Sequence, residues 1–265
     1  MERLIFSPPG AMGMSFDPRA LDRAKADTVN NQSGDLTGMD CPKCRNRGYF
    51  AHLKPDSGLY FTDCDCLKLR KCYRELEESG LRRVTEEWTF SSFQAREPWQ
   101  REMKAGAERY AADPQGWLLM AGQPGTGKSH LCTAVFRTVL EKGLAARYFS
   151  WRDKIAELKA LSLDSEARKD TVNRMKQAEF LYIDDLFKSA GPGGDCSPTA
   201  ADVNLAFEIL NYRYINRLPT VLSTELLPQE LVRIDEATGT RILEMAKKHC
   251  YTLSRDFRRN MRVRG

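Results

Sequence analysis

The sequence predicts an α/β protein: a five-stranded parallel sheet flanked by helices carries a nucleotide site, and a small cysteine-bearing module precedes it. Three observations lead there. Gly122 to Ser129 reads G-Q-P-G-T-G-K-S, between the apolar run Trp117-Leu118-Leu119-Met120 and a segment able to form a helix. Phe180-Leu181-Tyr182-Ile183, a second continuous apolar run, has the pattern of a central parallel strand and ends in Asp184-Asp185. Cys41 and Cys44 are followed, after nineteen residues, by Cys64 and Cys66.

The first motif is a complete phosphate-binding loop. Gly122, Gly125 and Gly127 let backbone N–H groups turn inward around a triphosphate, which also meets the positive end of the following helix. Lys128 is expected to reach the β- and γ-phosphates of ATP, and the Ser129 hydroxyl to hold Mg²⁺. Pro124 and Thr126 within the loop and His130 directly after it complete the candidate contact set. The alternative is a glycine-rich strand-to-helix turn that binds nothing.

An acidic pair at the carboxyl end of a parallel strand faces the ligand crevice. Asp184 is expected to coordinate Mg²⁺ through water, and Asp185 to position or polarise the attacking water. A solvated acidic turn is the alternative. The distance from Lys128 leaves room for one helix–strand–helix excursion, which marks the P-loop class with an inserted strand.

Paired thiols on two turns brought together by a short hairpin match a tetrahedral Zn²⁺ site formed by Cys41, Cys44, Cys64 and Cys66. Gly48 to Leu53 and Leu59 to Thr62, around Pro55-Asp56-Ser57-Gly58, supply the hairpin. The second knuckle is C-x-C, which leaves His52 open as a substitute ligand and four unconnected reduced cysteines as the alternative. So small a module cannot build a core, and metal would supply its folding energy. Cys72, Cys132, Cys196 and Cys250 are scattered and read as small apolar residues.

At 265 residues and 42% hydrophobic content, one sizeable α/β domain with an appendage is expected. No apolar stretch approaches the ~20 residues that span a bilayer. The first ten residues have no signal-peptide core. A cytosolic (cytoplasmic) protein with no membrane association is therefore expected. The net charge of +5 is mild, but from Arg241 onward eight Lys/Arg face only Glu244 and Asp256. That basic end is compatible with phosphate contacts or with a merely soluble tail.

The expected organisation is a flexible segment over 1–38 with one helical stretch around Pro18 to Ala26, and a zinc-binding module over 39–72. A linker helix and aromatic approach follow over 73–98, then the ATPase domain over 99–258 and a basic tail over 259–265. Helices are expected over Cys66 to Ser79, stopped by Gly80, and over Trp99 to Ala112. Strands are expected at 117–120, 145–150, 180–183, 220–223 and 249–253. Ser150 to Asp153 reads as a helix cap before Ile155, Leu158 and Leu161. A further helix from about Ser165 carries Val172 and Met175, Gly191 to Gly194 reads as a mobile loop, and Pro198 to Asn216 as a helix.

G-Q-P-G-T-G-K-S-H-L, F-L-Y-I-D-D-L-F-K at 180–188, P-T-V-L-S-T-E-L at 219–226 and T-G-T-R-I-L-E-M at 238–245 together resemble DnaC/DnaI-type AAA+ helicase loaders. The likeness is to phage and mobile-element replication proteins with an N-terminal zinc module. IstB-type transposition ATPases share the core and are near relatives.

The resemblance implies further roles. It places a γ-phosphate sensor at Ser223-Thr224-Glu225, where Glu225 stands for the usual Asn, so that Thr224 would orient the water. Arg241 matches an arginine finger supplied to a neighbouring subunit, a role suited to a planar permanent cation; its alternative is a surface salt bridge with Asp235 or Glu236. Arg258 resembles the second sensor, and Phe90 and Phe93 lie where the family packs adenine, or else are core aromatics. Lys154, Lys159, Arg168, Lys169, Arg174 and Lys176 occupy the helices thought to touch single-stranded DNA, or form a solvated face.

With a finger acting in trans, ATP would favour homo-oligomers, and a lone monomer would hydrolyse slowly. The function implied is ATP-dependent loading of a replicative DnaB-type helicase on single-stranded DNA. A transposition helper that recruits a transposase, and a nucleotide-dependent scaffold with little turnover, are the other readings.

Overall fold

The computed structural model describes residues 18–56, 58–78, 81–161, 165–188 and 197–262. The chain divides into two compact units after Leu67. The first contains helix α1 (Pro18–Asn31) and an antiparallel hairpin of β1 (Tyr49–Leu53) and β2 (Leu59–Asp63), with Tyr49 opposite Asp63. The segment expected to be flexible over 1–38 is therefore structured in its described part, and α1 runs five residues beyond the expected Ala26. Polar contacts tie it down. The Asn30 side chain donates to the Ala51 carbonyl at 2.9 Å and accepts from the Ala51 N–H at 3.0 Å, as an adjacent strand would. Gly34 and Leu36 donate backbone bonds to the carbonyls of Arg45 and Asn46.

Helix α2 (Cys66–Glu78) starts at the last of the four clustered cysteines, and the unit border falls within it. In the second unit α3 (Arg82–Glu87) and α4 (Pro98–Ala112) lead to β3 (Trp117–Gly122) and α5 (Lys128–Glu141). Then come β4 (Ala146–Ser150), α6 (Trp151–Ala160), α7 (Glu166–Gln177) and β5 (Phe180–Asp184). After α8 (Ala200–Ile215) follow β6 (Thr220–Thr224), α9 (Pro228–Ile234), α10 (Glu236–Ala246) and β7 (Cys250–Leu253). All five expected strands are present. The short helix α3 falls within the 73–98 segment expected as linker helix and aromatic approach, α9 arises where the sequence assigned nothing, and α10 covers the 238–245 block. Gly80, Gly191 to Gly194 and Cys196 lie outside the described residues.

The sheet is wholly parallel in the order β4-β5-β6-β3-β7, so β6 is inserted between the P-loop strand and the acidic strand. Side chains alternate across it. Trp117, Leu119, Leu181, Ile183 and Leu222 enter the core on one face, with α6, α7, α8, α9 and α10. Leu118, Met120, Phe180, Tyr182 and Val221 enter the other, with α4 and α5. Covering both faces demands continuous apolar strands, and that is what made them legible. Cys72 and Cys132 are buried in the second core and Cys250 is partly buried against the first.

One local feature departs from expectation, and a second was not foreseen. The Ser150 hydroxyl bonds the Asp153 carboxylate and caps no backbone N–H of α6. Arg213, fully buried, donates to the carbonyls of Met175, Lys176, Ala178 and Pro219 and to Thr220 Oγ1. Burial lowers its pKa to about 9. This guanidinium satisfies carbonyls left open at the end of α7 and ties them to the start of β6.

Candidate nucleotide site and metal centre

Strands β3, β5 and β6 deliver the site at their carboxyl ends. Only glycine fits at position 122, where φ is +115° and a Cβ would lie 2.0 Å from the Leu253 carbonyl oxygen. After this turn the loop opens a cavity of about 240 Å³ at the start of α5. Pro124, Gly125, Gly127, Lys128, Ser129 and His130 form one wall; Asp185, Lys188 and Glu225 form another; Trp88, Met261 and Arg262 close it. The N-terminal N–H groups of α5 and its dipole suit an anion here.

Lys128 is buried, and its ammonium donates to the carbonyls of Gly122 at 2.6 Å and Gln123 at 2.7 Å. Burial lowers its pKa, and the nearby carboxylates of Glu225 and Asp185 oppose that effect. Thr126 is buried, with its hydroxyl on the Gln123 carbonyl, so its contribution to the loop is structural.

Ser129 Oγ donates to Asp184 Oδ1 at 2.9 Å, and Tyr148 donates to Asp184 Oδ2 at 3.1 Å. Ser223, at the end of the inserted strand, donates to the same Asp184 oxygen while its Oγ accepts from the Asp185 N–H. A hydroxyl and a carboxylate at this separation are a donor set for a hard divalent cation. Asp185 reaches the cavity with a φ of +56°, and its pKa is raised by burial and by Asp184, against which its bond to Lys188 acts.

Several expected roles are not supported by position. Thr224 is fully buried, donates to the Leu186 carbonyl and accepts from the Leu226 N–H, so it does not face the cavity; Glu225 does. Phe93 is buried, with its ring against Gly127, and Phe90 is packed into the same core, so both are core aromatics. The aromatic in the wall is Trp88, stacked on His130 with ring centres 5.6 Å apart. His130 donates to the Thr89 carbonyl at 2.9 Å, and burial lowers its pKa. Arg258 is exposed and doubly bonded to Asp256, while the arginine in the wall is Arg262. Trp88 and Arg262 gave no motif signal, because tertiary folding alone brings them to the loop; Lys188 closes the 180–188 block, but the block assigned it no role.

Arg241 also lies outside the wall. Its guanidinium donates to the Ala237 carbonyl at 2.6 Å and sits over the rings of Phe207 and Tyr214 at about 5.5 Å. Asp235, its alternative ion partner, instead caps α10 through the Thr238 N–H. Among the cations of the inserted helices, Lys154 pairs with Glu157, Lys159 with Asp202, Arg174 with Asp170, and Lys176 with Glu208. Arg168 lies 4.0 Å from Glu208.

In the N-terminal unit Cys41, Cys44, Cys64 and Cys66 are buried with their sulfurs within 4.8 Å of one another. Left-handed Arg45 and Asn46 shape the first knuckle, and Gly48 donates its N–H to Cys44 Sγ at 3.3 Å. Burial raises the Cys44 pKa, but that N–H and the other thiols outweigh it and lower it to about 6. Four converging sulfurs with a thiolate-stabilising N–H fit a tetrahedral metal site. His52 is not part of this cluster: its Nε2 meets Thr62 Oγ1 at 2.7 Å on the hairpin surface.

The sheet order, the loop and the acidic pair define a P-loop nucleotide-binding protein of the AAA+ class. The chain belongs to the IstB-like ATP binding protein family, whose model matches residues 68–260. It is 34% identical to the phage-like element PBSX protein XkdC of Bacillus subtilis, over 81% of this chain and 82% of that protein. It is 21% identical to the replicative helicase loader DnaC of Escherichia coli, over 66% of this chain and 69% of the loader. The fold is shared with the crystal structure of DnaI, with a TM-score of 0.52 at 19% identity, over 65% of this chain and 93% of that one.

Proposed function

We propose that this chain is an ATP-hydrolysing DNA replication protein that loads or remodels a DnaB-type ring helicase on single-stranded DNA. Assembly with copies of itself completes its nucleotide sites. The observation that carries this reading is the split between Ser129-Asp184-Asp185, gathered at the cavity, and Arg241, held outside it on α10. Ser129 and Asp184 would hold Mg²⁺, which neutralises charge on phosphate oxygens. Asp185 orients the attacking water, and Arg241 of an adjacent copy offsets charge on the transferring phosphoryl group. Hydrolysis by the isolated monomer is accordingly slow. Cys41, Cys44, Cys64 and Cys66 would hold Zn²⁺, giving the hairpin unit the folding energy that its small core lacks.

A relative named as a helicase loader and the cysteine module ahead of the core support the loader reading. The match to the IstB-like family favours a second reading, a transposition helper that recruits a transposase to DNA. Pull-down of a DnaB-type helicase with and without ATP separates the two. Nucleotide-sensitive capture is expected, and capture of a transposase alone would reverse the assignment. Arg241→Ala should leave ATP binding intact and cut hydrolysis, and mixing it with Asp185→Asn should restore part of the activity. Failure of that mixing in an assembled oligomer would remove the shared-site reading.

A further inference from the structure

The cavity contains a second ammonium besides that of the loop lysine. Lys188 Nζ lies 2.7 Å from Glu225 Oε1 and 3.0 Å from Asp185 Oδ2, and all three residues line the cavity. Asp185 follows β5 and Glu225 follows β6, so two strand ends bring carboxylates to a place suited to a polyphosphate. Uncompensated, they would repel it. Burial works against the charge on Lys188, yet its bonds to Glu225 and Asp185 leave its pKa raised, and it remains a cation.

The backbone aims this side chain deliberately. Asp185 and Phe187 are both left-handed, with φ of +56° and +64°, conformations that cost non-glycine residues energy. The Phe187 ring is buried and packs edge-on against Trp151 at 5.5 Å. Leu186 donates its N–H to the Ser223 carbonyl at 2.9 Å, and its own carbonyl accepts from Thr224. The turn is thus clamped to the end of β6, and Lys188 is returned toward the acidic end of the cavity. That end is where a terminal phosphate would lie, because the loop cradles the inner phosphates and Lys128, close enough to feel Glu225 and Asp185, reaches from the loop toward the same place. Two of the three N–H donors of Lys188 are used by the carboxylates, and among the described residues no other ion pair engages its ammonium.

We propose that Lys188 distinguishes a triphosphate from a diphosphate in this cavity, exchanging Glu225 for an oxygen of the terminal phosphate. The inference rests on the cavity being an ATP site. Glu225, standing where an Asn was expected, is the competitor that holds the lysine when no terminal phosphate is present.

The test compares binding of ADP and of a slowly hydrolysed ATP analogue, both with Mg²⁺, by calorimetry. Lys188→Met should weaken the triphosphate by about tenfold, the worth of one charge-assisted hydrogen bond, and leave ADP within about twofold. Lys188→Arg should recover most of the difference. Glu225→Gln should tighten the triphosphate in the unaltered background and have no such effect beside Lys188→Met. Equal losses for both nucleotides, or no loss, would overturn the role of Lys188 while leaving the ATP site standing. Failure of the unaltered protein to bind either nucleotide would instead remove the site on which the role depends.

Discussion

Ser129 Oγ and Asp184 Oδ1 are 2.9 Å apart although they stand 55 positions apart in the chain, one at the start of α5 and the other at the end of β5. The contact places a hydroxyl and a carboxylate where one divalent cation can use both. Asp184→Ala should therefore remove most of the Mg²⁺-dependent gain in nucleotide affinity and leave the metal-free affinity nearly unchanged. Titrations with Mg²⁺ and with a chelator measure both. An unchanged Mg²⁺ gain would take Asp184 out of the metal site.

Lys128 carries the phosphate contact most directly. It is buried against the loop carbonyls of Gly122 and Gln123, positions from which it can turn to a phosphate. Lys128→Ala is expected to weaken ATP by about 100-fold, the loss of one or two charge-assisted bonds in a poorly solvated site. Equilibrium dialysis with labelled ATP provides the measurement, and an unchanged affinity would sink the loop assignment.

Much of this site was legible in sequence, and the limits of that reading follow from strand geometry. The loop and the acid pair are contiguous in sequence, so their chemistry can be read directly. Thr224 could not be placed that way. Side chains alternate along a strand, so Ser223 bonds the acid pair, Glu225 reaches the cavity, and Thr224 between them points into protein. Lys188, although it closes the quoted 180–188 block, and Trp88 drew no role for another reason. Each is an ordinary residue until a turn or a stack brings it to the loop.

Trp88 offers an optical test of the cavity wall. It is stacked on His130 beside the loop, whereas Trp117 and Trp151 are buried in the opposite core and Trp99 packs on the core beneath α4 and α5, outside the cavity wall. ATP binding should change the intrinsic fluorescence, and Trp88→Phe should abolish most of that change. Trp88→Ala should also weaken nucleotide by about tenfold, in line with the loss of one aromatic stacking surface. A full fluorescence response from Trp88→Phe would place the nucleotide elsewhere.

The four thiols should make the hairpin unit metal-dependent. Purified protein is expected to contain about one zinc per chain. Removing it with a strong chelator, or introducing Cys44→Ser, should expose residues 18–67 to proteolysis while the ATPase unit keeps its nucleotide affinity. A metal-free chain with an equally protected hairpin would dispose of the zinc assignment.

Arg213 predicts a stability effect with no counterpart in the nucleotide site. Arg213→Met would leave the carbonyls of Met175, Ala178 and Pro219 buried and unpaired, at a cost of about 3 kcal/mol. Urea unfolding of the variant should show a lower midpoint, and an unchanged midpoint would mean that water reaches those carbonyls.

The segment after β7 returns to the loop. Gln123 donates its side-chain amide to the Asp256 carbonyl at 2.8 Å, and Met261 donates its N–H to the Gly125 carbonyl at 2.7 Å. Any rearrangement of Gly125 around a phosphate must therefore be felt at residues 260–262, whose side chains are more open to chemistry than the loop itself. A dye on an Arg262→Cys variant would sit at the cavity rim and turn nucleotide arrival into an emission signal, giving a spectroscopic handle on the loop while leaving every one of its residues untouched.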